Sequence, residues 1–90
     1  MAFSVQYKRS VARDLKNLDE ADARRVLDKV ERELKKNPDA GEPLKGKFSG
    51  LLRLRVGDYR VIYTRTKDGV LILLISHRRD VYQKLERGGS

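Results

Sequence analysis

The spacing of hydrophobic residues changes along the chain from alternation to a helical period and back to alternation. Phe3, Val5 and Tyr7 alternate with polar residues, which predicts a short, half-buried strand. Apolar residues then recur every three or four positions in two stretches, as expected of two amphipathic helices. These positions are Val11, Leu15 and Leu18 in the first stretch, and Ala23, Val26, Leu27, Val30 and Leu34 in the second.

The ends of the two helices are also marked in the sequence. The first is predicted over residues 8–17, where no helix breaker occurs. Asp19 suits the N-cap of the second helix, and Asn37-Pro38 ends it. Because only a tight turn separates the two helices, we expect an αα-hairpin.

The second half of the chain is predicted to form a sheet. Residues 38–50 carry two prolines and three glycines, which predicts a connection. Apolar residues then alternate with arginines on both sides of Gly57-Asp58, a candidate two-residue hairpin loop. Asp68-Gly69 predicts a second such loop, followed by an apolar run, 70–75, that we expect inside the sheet with both faces covered.

These elements predict an α+β fold, in which an N-terminal strand and an α-helical hairpin pack on one face of a small antiparallel β-sheet. Val81, Tyr82 and Leu85 predict a short C-terminal helix or arm. Ninety residues suffice for one domain, which we place at residues 1–87, with a flexible tail at 88–90.

Composition limits the chemistry of the protein. The chain has no cysteine and one histidine, which argues against disulfides and against thiolate or histidine metal sites, so we expect no cofactor. The longest apolar run is far shorter than the roughly 20 residues that a membrane span needs, and the N-terminus has no signal-peptide stretch. We therefore expect a soluble, cytoplasmic protein with no membrane partner.

The net charge of +8 is concentrated in the second half of the chain. Residues 1–44 hold ten Lys/Arg against nine Asp/Glu, whereas residues 45–90 hold eleven against four. Such a surface attracts the phosphates of a nucleic acid. The alternative is a solvated surface that only keeps the protein soluble.

Strand pairing collects several arginines on one face. A two-residue loop at Gly57-Asp58 would place Arg55 opposite Arg60 and put Arg53 on the same face. The helices would take the apolar face and leave the arginine face open. Like charges directly opposite each other are destabilising, which favours an anionic ligand, although arginines can also extend into water.

A two-residue loop at Asp68-Gly69 would extend this face. It would place His77 opposite Arg60, with Arg78 and Arg79 immediately after it. A β-bulge in either strand would move His77 to the other face.

The stretches LKGKFSGLLRLRVGDYRVIY and SHRRDVYQKL, in this order of elements, resemble the RelE/ParE toxin superfamily over essentially the whole chain. The resemblance implies a helical hairpin on an antiparallel sheet, and a toxin of a type II toxin-antitoxin system that a cognate antitoxin holds inactive. RelE-like members are ribosome-dependent endoribonucleases that cleave mRNA, whereas ParE-like members poison DNA gyrase.

The resemblance to the RelE branch also implies which residues act. The family uses basic residues on the hairpin and late in the last strand, with a C-terminal tyrosine. The matching positions are Arg53, Arg55, Arg60, one of Arg78 or Arg79, and Tyr82. This sequence departs from the family in carrying arginines where the hairpin has lysines, and in a tighter spacing between the late arginine and the tyrosine than some members show.

Metal-free RNA cleavage by 2′-hydroxyl attack needs positive charge at the phosphoryl oxygens and two proton transfers. We expect Arg60 and Arg78 to contact the phosphate, and Tyr82 or His77 to transfer protons. Tyr82 could instead stack on a base or only pack in the core with Val81 and Leu85, and His77 could only bond to backbone. RNA-binding contacts are expected from Lys45, Lys47, Arg53, Arg55 and Arg79.

Two other functions fit the sequence: a ParE-like DNA gyrase poison and a non-catalytic basic module that binds nucleic acid. We favour RNA cleavage because a gyrase poison does not need Arg60 and Tyr82 around one phosphate. The expected partners are a cognate antitoxin with an acidic tail, mRNA and the ribosome. The toxin-antitoxin complex is a candidate for binding operator DNA.

Overall fold

The computed structural model describes residues 2–88. Its elements are β1 (Ser4–Tyr7), α1 (Val11–Lys16), α2 (Glu20–Leu34), β2 (Glu42–Pro43), a single 3₁₀ turn (Gly46–Phe48), β3 (Leu51–Val56), β4 (Tyr59–Arg65), β5 (Gly69–His77) and α3 (Val81–Gly88). The strands form one sheet in the order β1-β5-β4-β3-β2. The predicted α+β fold is confirmed, and its C-terminal segment is a helix.

The predicted tail at 88–90 is only partly covered by the structure. Gly88 is the last residue of α3, and residues 89–90 lie outside the described residues. No helix within residues 2–88 combines the length and the apolar character needed to cross a bilayer.

The helical hairpin packs on one face of the sheet, as the apolar pattern predicts. Val11 of α1 and Val26, Val30 and Leu34 of α2 are fully buried. Burying such a side chain stabilises the fold by roughly 1.5–3 kcal/mol. Their partners in the core are Leu54, Val56, Val61, Tyr63, Val70, Ile72 and Ile75 of the sheet.

Helix α1 is shorter than predicted because the strand before it continues one residue further. The backbone N–H of Lys8 donates to the Ile72 carbonyl at 2.8 Å, which extends the pairing of β1 with β5. The helix then begins at Val11. In α2, Asp19 occupies the N-cap position, but its side chain makes no capping hydrogen bond.

Asp14 of α1 satisfies a backbone donor at the edge of β5. Strand β1 runs parallel to β5 and covers this edge only as far as Ile72. Beyond that point the Ile75 N–H donates to Asp14 Oδ2 at 3.1 Å. Burial raises the pKa of the Asp14 carboxyl, although the Ile75 hydrogen bond and the charges of Lys84, Arg13 and Lys8 oppose the shift.

Substitutions at Asp14 should separate its hydrogen bond from its charge. Asp14→Ala leaves the Ile75 N–H without a partner, and we expect a loss of about 1–3 kcal/mol of unfolding free energy. Asp14→Asn keeps an acceptor oxygen, so its thermal midpoint at pH 7 should lie well above that of Asp14→Ala. Thermal unfolding followed by circular dichroism measures both, and equal losses in the two variants would contradict this role.

The raised pKa also predicts how pH acts on Asp14. The folded state binds the proton of this carboxyl more tightly than the unfolded state, so the group favours folding below the unfolded-state pKa. This contribution is lost as pH rises through the folded-state pKa. The midpoint of Asp14→Asn relative to the wild type should therefore increase between acid and neutral pH.

The first hairpin has the predicted register. Val56 pairs with Tyr59, Arg55 with Arg60, and Arg53 with Ile62. Gly57 has a φ of 59°, whereas Asp58 does not have a positive φ. A two-residue hairpin loop that begins with glycine requires this combination.

The second hairpin does not have the predicted register. Arg65 pairs with Val70, which leaves four residues between the paired positions rather than two. Thr66 closes this longer loop, because its hydroxyl accepts from Gly69 N at 3.0 Å and its own N–H donates to the Gly69 carbonyl at 2.9 Å. A bulge then leaves Leu73 unpaired, and together the two changes shift the later pairs by one residue.

Helix α3 covers part of the arginine face. Tyr82 in this helix accepts a hydrogen bond from Arg53, and its ring centroid lies 6.3 Å from that of Phe48. Ile62, on the same face as Arg53, is completely buried but does not belong to the core beneath the helical hairpin. The expectation that this face is left open is therefore wrong for the part that lies under α3.

Candidate nucleic-acid interface

Four arginines converge at the hairpin end of the sheet, and we call them the arginine cluster: Arg53, Arg55, Arg60 and Arg78. The first three share a face because Arg55 and Arg60 are directly paired and Arg53 lies two residues from Arg55 on the same strand. Arg78 follows the last residue of β5, and its N–H donates to the Asp58 carbonyl at 2.8 Å. This hydrogen bond ties the end of β5 to the hairpin loop.

Arg60 lies at the centre of the cluster. Its Nη1 donates to the carbonyls of Gly57 and Tyr59, both at 2.9 Å, and it makes no ion pair within residues 2–88. Burial lowers the pKa of Arg60, and the charges of the other three cluster arginines lower it further. The guanidinium groups are therefore close enough to repel one another, which an anion placed between them would relieve.

The structure favours Arg78 over Arg79 as the late arginine of the site. Arg78 Nε lies 3.6 Å from Asp58 Oδ1, and its charge acts on Arg60. Arg79 is exposed, its backbone N–H donates to His77 Nδ1 at 3.2 Å, and its charge is not among those that shift the pKa of Arg60.

Tyr82 places a hydroxyl at the edge of the cluster. It is 40% exposed, and Arg53 Nη1 donates to its hydroxyl oxygen. Because the oxygen accepts this bond, its O–H remains able to donate to a ligand. Tyr82 thus packs against Phe48 and is also exposed to solvent. A packing role and a role in proton transfer are therefore compatible for this residue.

The two lysines predicted to bind RNA lie in different surroundings. Lys47 forms an ion pair with Glu86 of α3 and lies 5.4 Å from the centroid of the Phe48 ring. Lys45 is exposed and makes no ion pair in the described part of the chain. Both lie beside the segment that carries Phe48, next to Tyr82.

The predicted position of His77 is wrong. Arg60 pairs with Ser76, and His77 pairs with Tyr59 on the opposite face, where the two rings meet edge to face at 5.7 Å. Tyr59 donates to Asp22 of α2 at 3.2 Å, so this is the face that the helices cover. The longer loop and the bulge cause the change, and the structure does not bring His77 to the arginine cluster.

Sequence reasoning missed two polar residues on the arginine face. Glu42 of β2 pairs directly with Arg53, and its carboxylate lies 3.4 Å from Arg53 Nη2 and 3.5 Å from Arg55 Nε. Ser76 is 2% exposed, and its hydroxyl has no hydrogen-bond partner within residues 2–88. Ser76 lies opposite Arg60 only in the observed register, which the sequence does not predict. Glu42 belongs to β2, a strand of two residues that contains a proline, so its sequence shows no alternation of apolar and polar residues.

The cluster keeps an excess of positive charge after these contacts. Four guanidinium groups face two carboxylates, those of Glu42 and Asp58, which leaves a formal balance of +2 (4 − 2). Arg53 Nε is also buried and has no hydrogen-bond partner among the described residues. Residues 2–88 contain no group of three or more His, Cys, Asp and Glu side chains that could hold a metal ion. The excess of positive charge suits the site to an anion such as a phosphodiester.

Comparisons with known proteins identify the family of the chain. The family model of the ParE toxin of the type II toxin-antitoxin system, parDE, matches residues 5–82. No curated protein sequence matches the chain.

Solved toxin structures share the fold. A chain of the toxin-antitoxin complex RelBE2 from Mycobacterium tuberculosis is 28% identical, with a TM-score of 0.79 over 89% of this chain and 95% of that one. A chain of the archaeal RelE-RelB complex from Pyrococcus horikoshii is 34% identical, with a TM-score of 0.63 over 87% of this chain and 97% of that one.

A more distant structure shows the fold alone. A mutant of the E. coli toxin RelE, solved with an antitoxin RelBc peptide, is 16% identical, with a TM-score of 0.67 over 94% of this chain and 95% of that one. The family match covers most of the chain, and the structures extend the likeness to the whole fold. The chain therefore belongs to the ParE toxin family of type II toxin-antitoxin systems, within the RelE/ParE superfamily.

Proposed function

We propose that this toxin is an endoribonuclease that cleaves mRNA on the ribosome by metal-free attack of a 2′-hydroxyl. The observation that carries the proposal is the environment of Arg60, which has no ion pair within residues 2–88 and is surrounded by three further arginines with the Tyr82 hydroxyl beside them. A cluster of this kind gains most from a ligand with several negative oxygens.

The proposed reaction needs little from the protein besides charge and proton transfer. The 2′-oxygen forms a bond to the adjacent phosphorus, the bond from phosphorus to the 5′-oxygen breaks, and the products carry a 2′,3′-cyclic phosphate and a 5′-hydroxyl. The 2′-hydroxyl loses its proton to solvent water, and the departing 5′-oxygen gains one from a protein side chain. Additional negative charge appears on the phosphoryl oxygens in the transition state, where preorganised donors lower the barrier most.

The residues divide these tasks by position. Arg60 and Arg78 bind the phosphoryl oxygens of the scissile phosphate. Tyr82 donates its proton to the departing oxygen, since its own oxygen already accepts from Arg53. His77 has no part in the reaction because it lies on the opposite face. The remaining basic residues guide the RNA backbone: Lys45, Lys47, Arg53, Arg55 and Arg79.

The second candidate function is poisoning of DNA gyrase. It is favoured by the family match, which is to ParE toxins. RNA cleavage explains more of the site. Inhibition of gyrase by surface contact does not require the Tyr82 hydroxyl to lie on the same face as Arg60, which makes no ion pair within residues 2–88.

We propose that the partners include a cognate antitoxin. The relatives from Mycobacterium tuberculosis and Pyrococcus horikoshii are toxin-antitoxin complexes. An acidic antitoxin segment would neutralise the arginine cluster and keep the toxin inactive until it is released. The proposed site of action is the cytoplasm, where translating ribosomes occur, and the toxin-antitoxin complex is proposed to bind operator DNA.

Purified toxin should be tested in parallel on mRNA in translating ribosomes, on naked RNA and in a gyrase supercoiling assay. We expect cuts at a fixed position within codons of the ribosome-bound message, and unchanged supercoiling. Loss of supercoiling without any cut in the message would instead establish the gyrase function.

Single alanine substitutions should distinguish the two late arginines. Arg78→Ala is expected to slow cleavage at least tenfold because it removes a donor from the phosphate. Arg79→Ala makes the same change in charge one residue away and should keep cleavage within about threefold of the wild type, as expected for a weak surface contact. Cleavage rates on ribosomes test this, and a larger loss in Arg79→Ala would reverse the assignment.

A further inference from the structure

Glu42 introduces a carboxylate among the cluster arginines. Its two oxygens face Arg53 Nη2 at 3.4 Å and Arg55 Nε at 3.5 Å. These distances exceed the 2.7–2.9 Å of a tight charge-assisted hydrogen bond, and the Glu42 and Arg55 side chains are each 60% exposed. The carboxylate therefore lies near two guanidinium groups without binding either firmly.

The backbone on both sides of Glu42 is held firmly in place. The preceding residue, Gly41, donates its N–H to the Tyr63 hydroxyl at 2.9 Å, and that buried hydroxyl donates to the Pro38 carbonyl at 2.8 Å. Beyond β2, Leu44 N donates to the Leu51 carbonyl at 2.9 Å. A Cβ at Gly41 would come within 2.8 Å of the Arg53 carbonyl oxygen, so the segment passes close to the strand that carries the arginines.

A loose ion pair on a fixed backbone distinguishes Glu42 from an ordinary surface contact. The fixed backbone keeps the Glu42 carboxylate next to the guanidinium groups of Arg53 and Arg55. The long distances between these charged groups allow an anion with better hydrogen-bond geometry to displace the carboxylate. Arg53 Nε, which is buried without a partner in the described residues, is a donor that Glu42 does not satisfy. A phosphate has more oxygens than a carboxylate and can reach more of these donors.

We propose that Glu42 is an internal counter-ion of the arginine cluster, whose carboxylate occupies in the free protein a position that an RNA phosphate takes when substrate binds. The inference rests on the proposed function, since it takes RNA as the ligand. Glu42 lowers the repulsion among the arginines in the free toxin. It also weakens the binding of non-specific polyanions, because each of them must displace it.

The test compares Glu42→Gln with Asp39→Asn. Both substitutions remove one negative charge from the same connecting segment with little change in shape. Asp39 pairs with Arg65 at 2.8 Å, and strand alternation puts Arg65 on the face opposite the arginine cluster. Asp39→Asn therefore measures the effect of losing one negative charge and releasing one arginine away from the cluster.

Binding of a short fluorescein-labelled single-stranded RNA should be followed by anisotropy across a range of KCl concentrations with purified toxin. We expect Glu42→Gln to bind roughly three- to tenfold more tightly than Asp39→Asn at low salt. The slope of log K against log salt should steepen by about 0.7, equivalent to one further phosphate contact. Identical affinities and slopes in the two variants would overturn the proposal.

A structural role for Glu42 gives the opposite result. If its carboxylate only holds Arg53 and Arg55 in position, Glu42→Gln binds RNA more weakly than the wild type, and this outcome also overturns the proposal. Thermal midpoints of both variants should be recorded, and Glu42→Ala provides a second variant in which the counter-ion is absent.

The outcomes also separate this inference from the proposed function. If neither the wild type nor Glu42→Gln cuts mRNA on ribosomes, but Glu42→Gln still shows the tighter and more salt-dependent binding, the ribonuclease function fails and the counter-ion stands. If the wild type cuts mRNA and the two variants bind alike, the counter-ion fails and the function stands.

Discussion

Replacing Arg60 by alanine should lower the rate of mRNA cleavage on ribosomes by about 10²–10³-fold, the loss typical of removing one preorganised donor at an oxyanion. The reason is that within residues 2–88 the Arg60 side chain uses Nη1 for hydrogen bonds to two carbonyl oxygens, so its remaining N–H groups can point at the scissile phosphate. Single-turnover cleavage measures the rate, and arrest of growth on expression should be abolished.

The fold should tolerate this substitution. Removing Arg60 relieves its repulsion with Arg55, the residue opposite it, so we expect a thermal midpoint equal to or above that of the wild type. Antitoxin binding should weaken only modestly, because Arg53, Arg55 and Arg78 keep three of the four cluster charges. Arg24→Ala is the matched control, since Arg24 is a 71% exposed arginine on α2 with an ion pair to Glu20. Toxicity unchanged in Arg60→Ala, or lost equally in Arg24→Ala, would refute the role given to Arg60.

Gly69→Ala should destabilise the fold by about 3 kcal/mol or more, at the upper end of the cost of overpacking. Gly69 begins β5 opposite Ser4 of the parallel strand β1, and a Cβ at this position would lie 2.0 Å from the Ser4 carbonyl oxygen. Because that contact is with backbone, β1 must move away from β5. A loss of this size lowers the thermal midpoint of a domain of this length by roughly 12–24 °C.

Gly46→Ala is the control for Gly69→Ala. Gly46 has a φ of 67°, and no atom of residues 2–88 lies within 4 Å of its Cβ position, so alanine meets backbone strain there but no steric clash. We expect a loss of only about 1–2 kcal/mol for a left-handed alanine. Thermal unfolding compares the two variants, and a smaller loss in Gly69→Ala than in Gly46→Ala would show that β1 does not lie against Gly69 as described.

The sequence predicts the parts of the fold that depend on periodicity and on short loops. The apolar stripe of α2 identifies its buried face, since Val26, Val30 and Leu34 are all inaccessible to solvent. Gly57 can adopt the positive φ that a tight hairpin needs, and the pairing of Arg55 with Arg60 follows from that loop. These features are local, so nearby residues suffice to predict them.

The strand register that the sequence does not predict depends on a side-chain hydrogen bond in the second hairpin loop and on a bulge in β5. The Thr66 hydroxyl accepts a hydrogen bond from Gly69 and closes a longer loop, and a bulge leaves Leu73 unpaired in β5. As a result, Ser76 lies opposite Arg60, where the sequence predicts His77. No periodicity distinguishes this register from the one with a two-residue loop. The position of His77 was therefore wrong, although Arg78 remained next to the hairpin loop.

The arginine face differs from its prediction because of contacts between residues that are far apart in the sequence. Glu42 reaches Arg53 because the Tyr63 hydroxyl, more than twenty residues away in sequence, holds the backbone around Gly41. Tyr82 comes to the same arginine because α3 folds back over the sheet. The composition of β3 and β4 indicates a cluster of cations, but only the tertiary structure shows which groups surround it.

The central claim is that the arginine cluster binds a phosphodiester that is attacked by the 2′-hydroxyl of the adjacent ribose. The most direct measurement replaces the single ribose 5′ to the mapped cut by 2′-deoxyribose in a message presented to the toxin on ribosomes. We expect the all-ribose message to be cut to a cyclic phosphate and a 5′-hydroxyl, and the substituted message to remain intact at that position. Equal cutting of both messages at that position would contradict the claim.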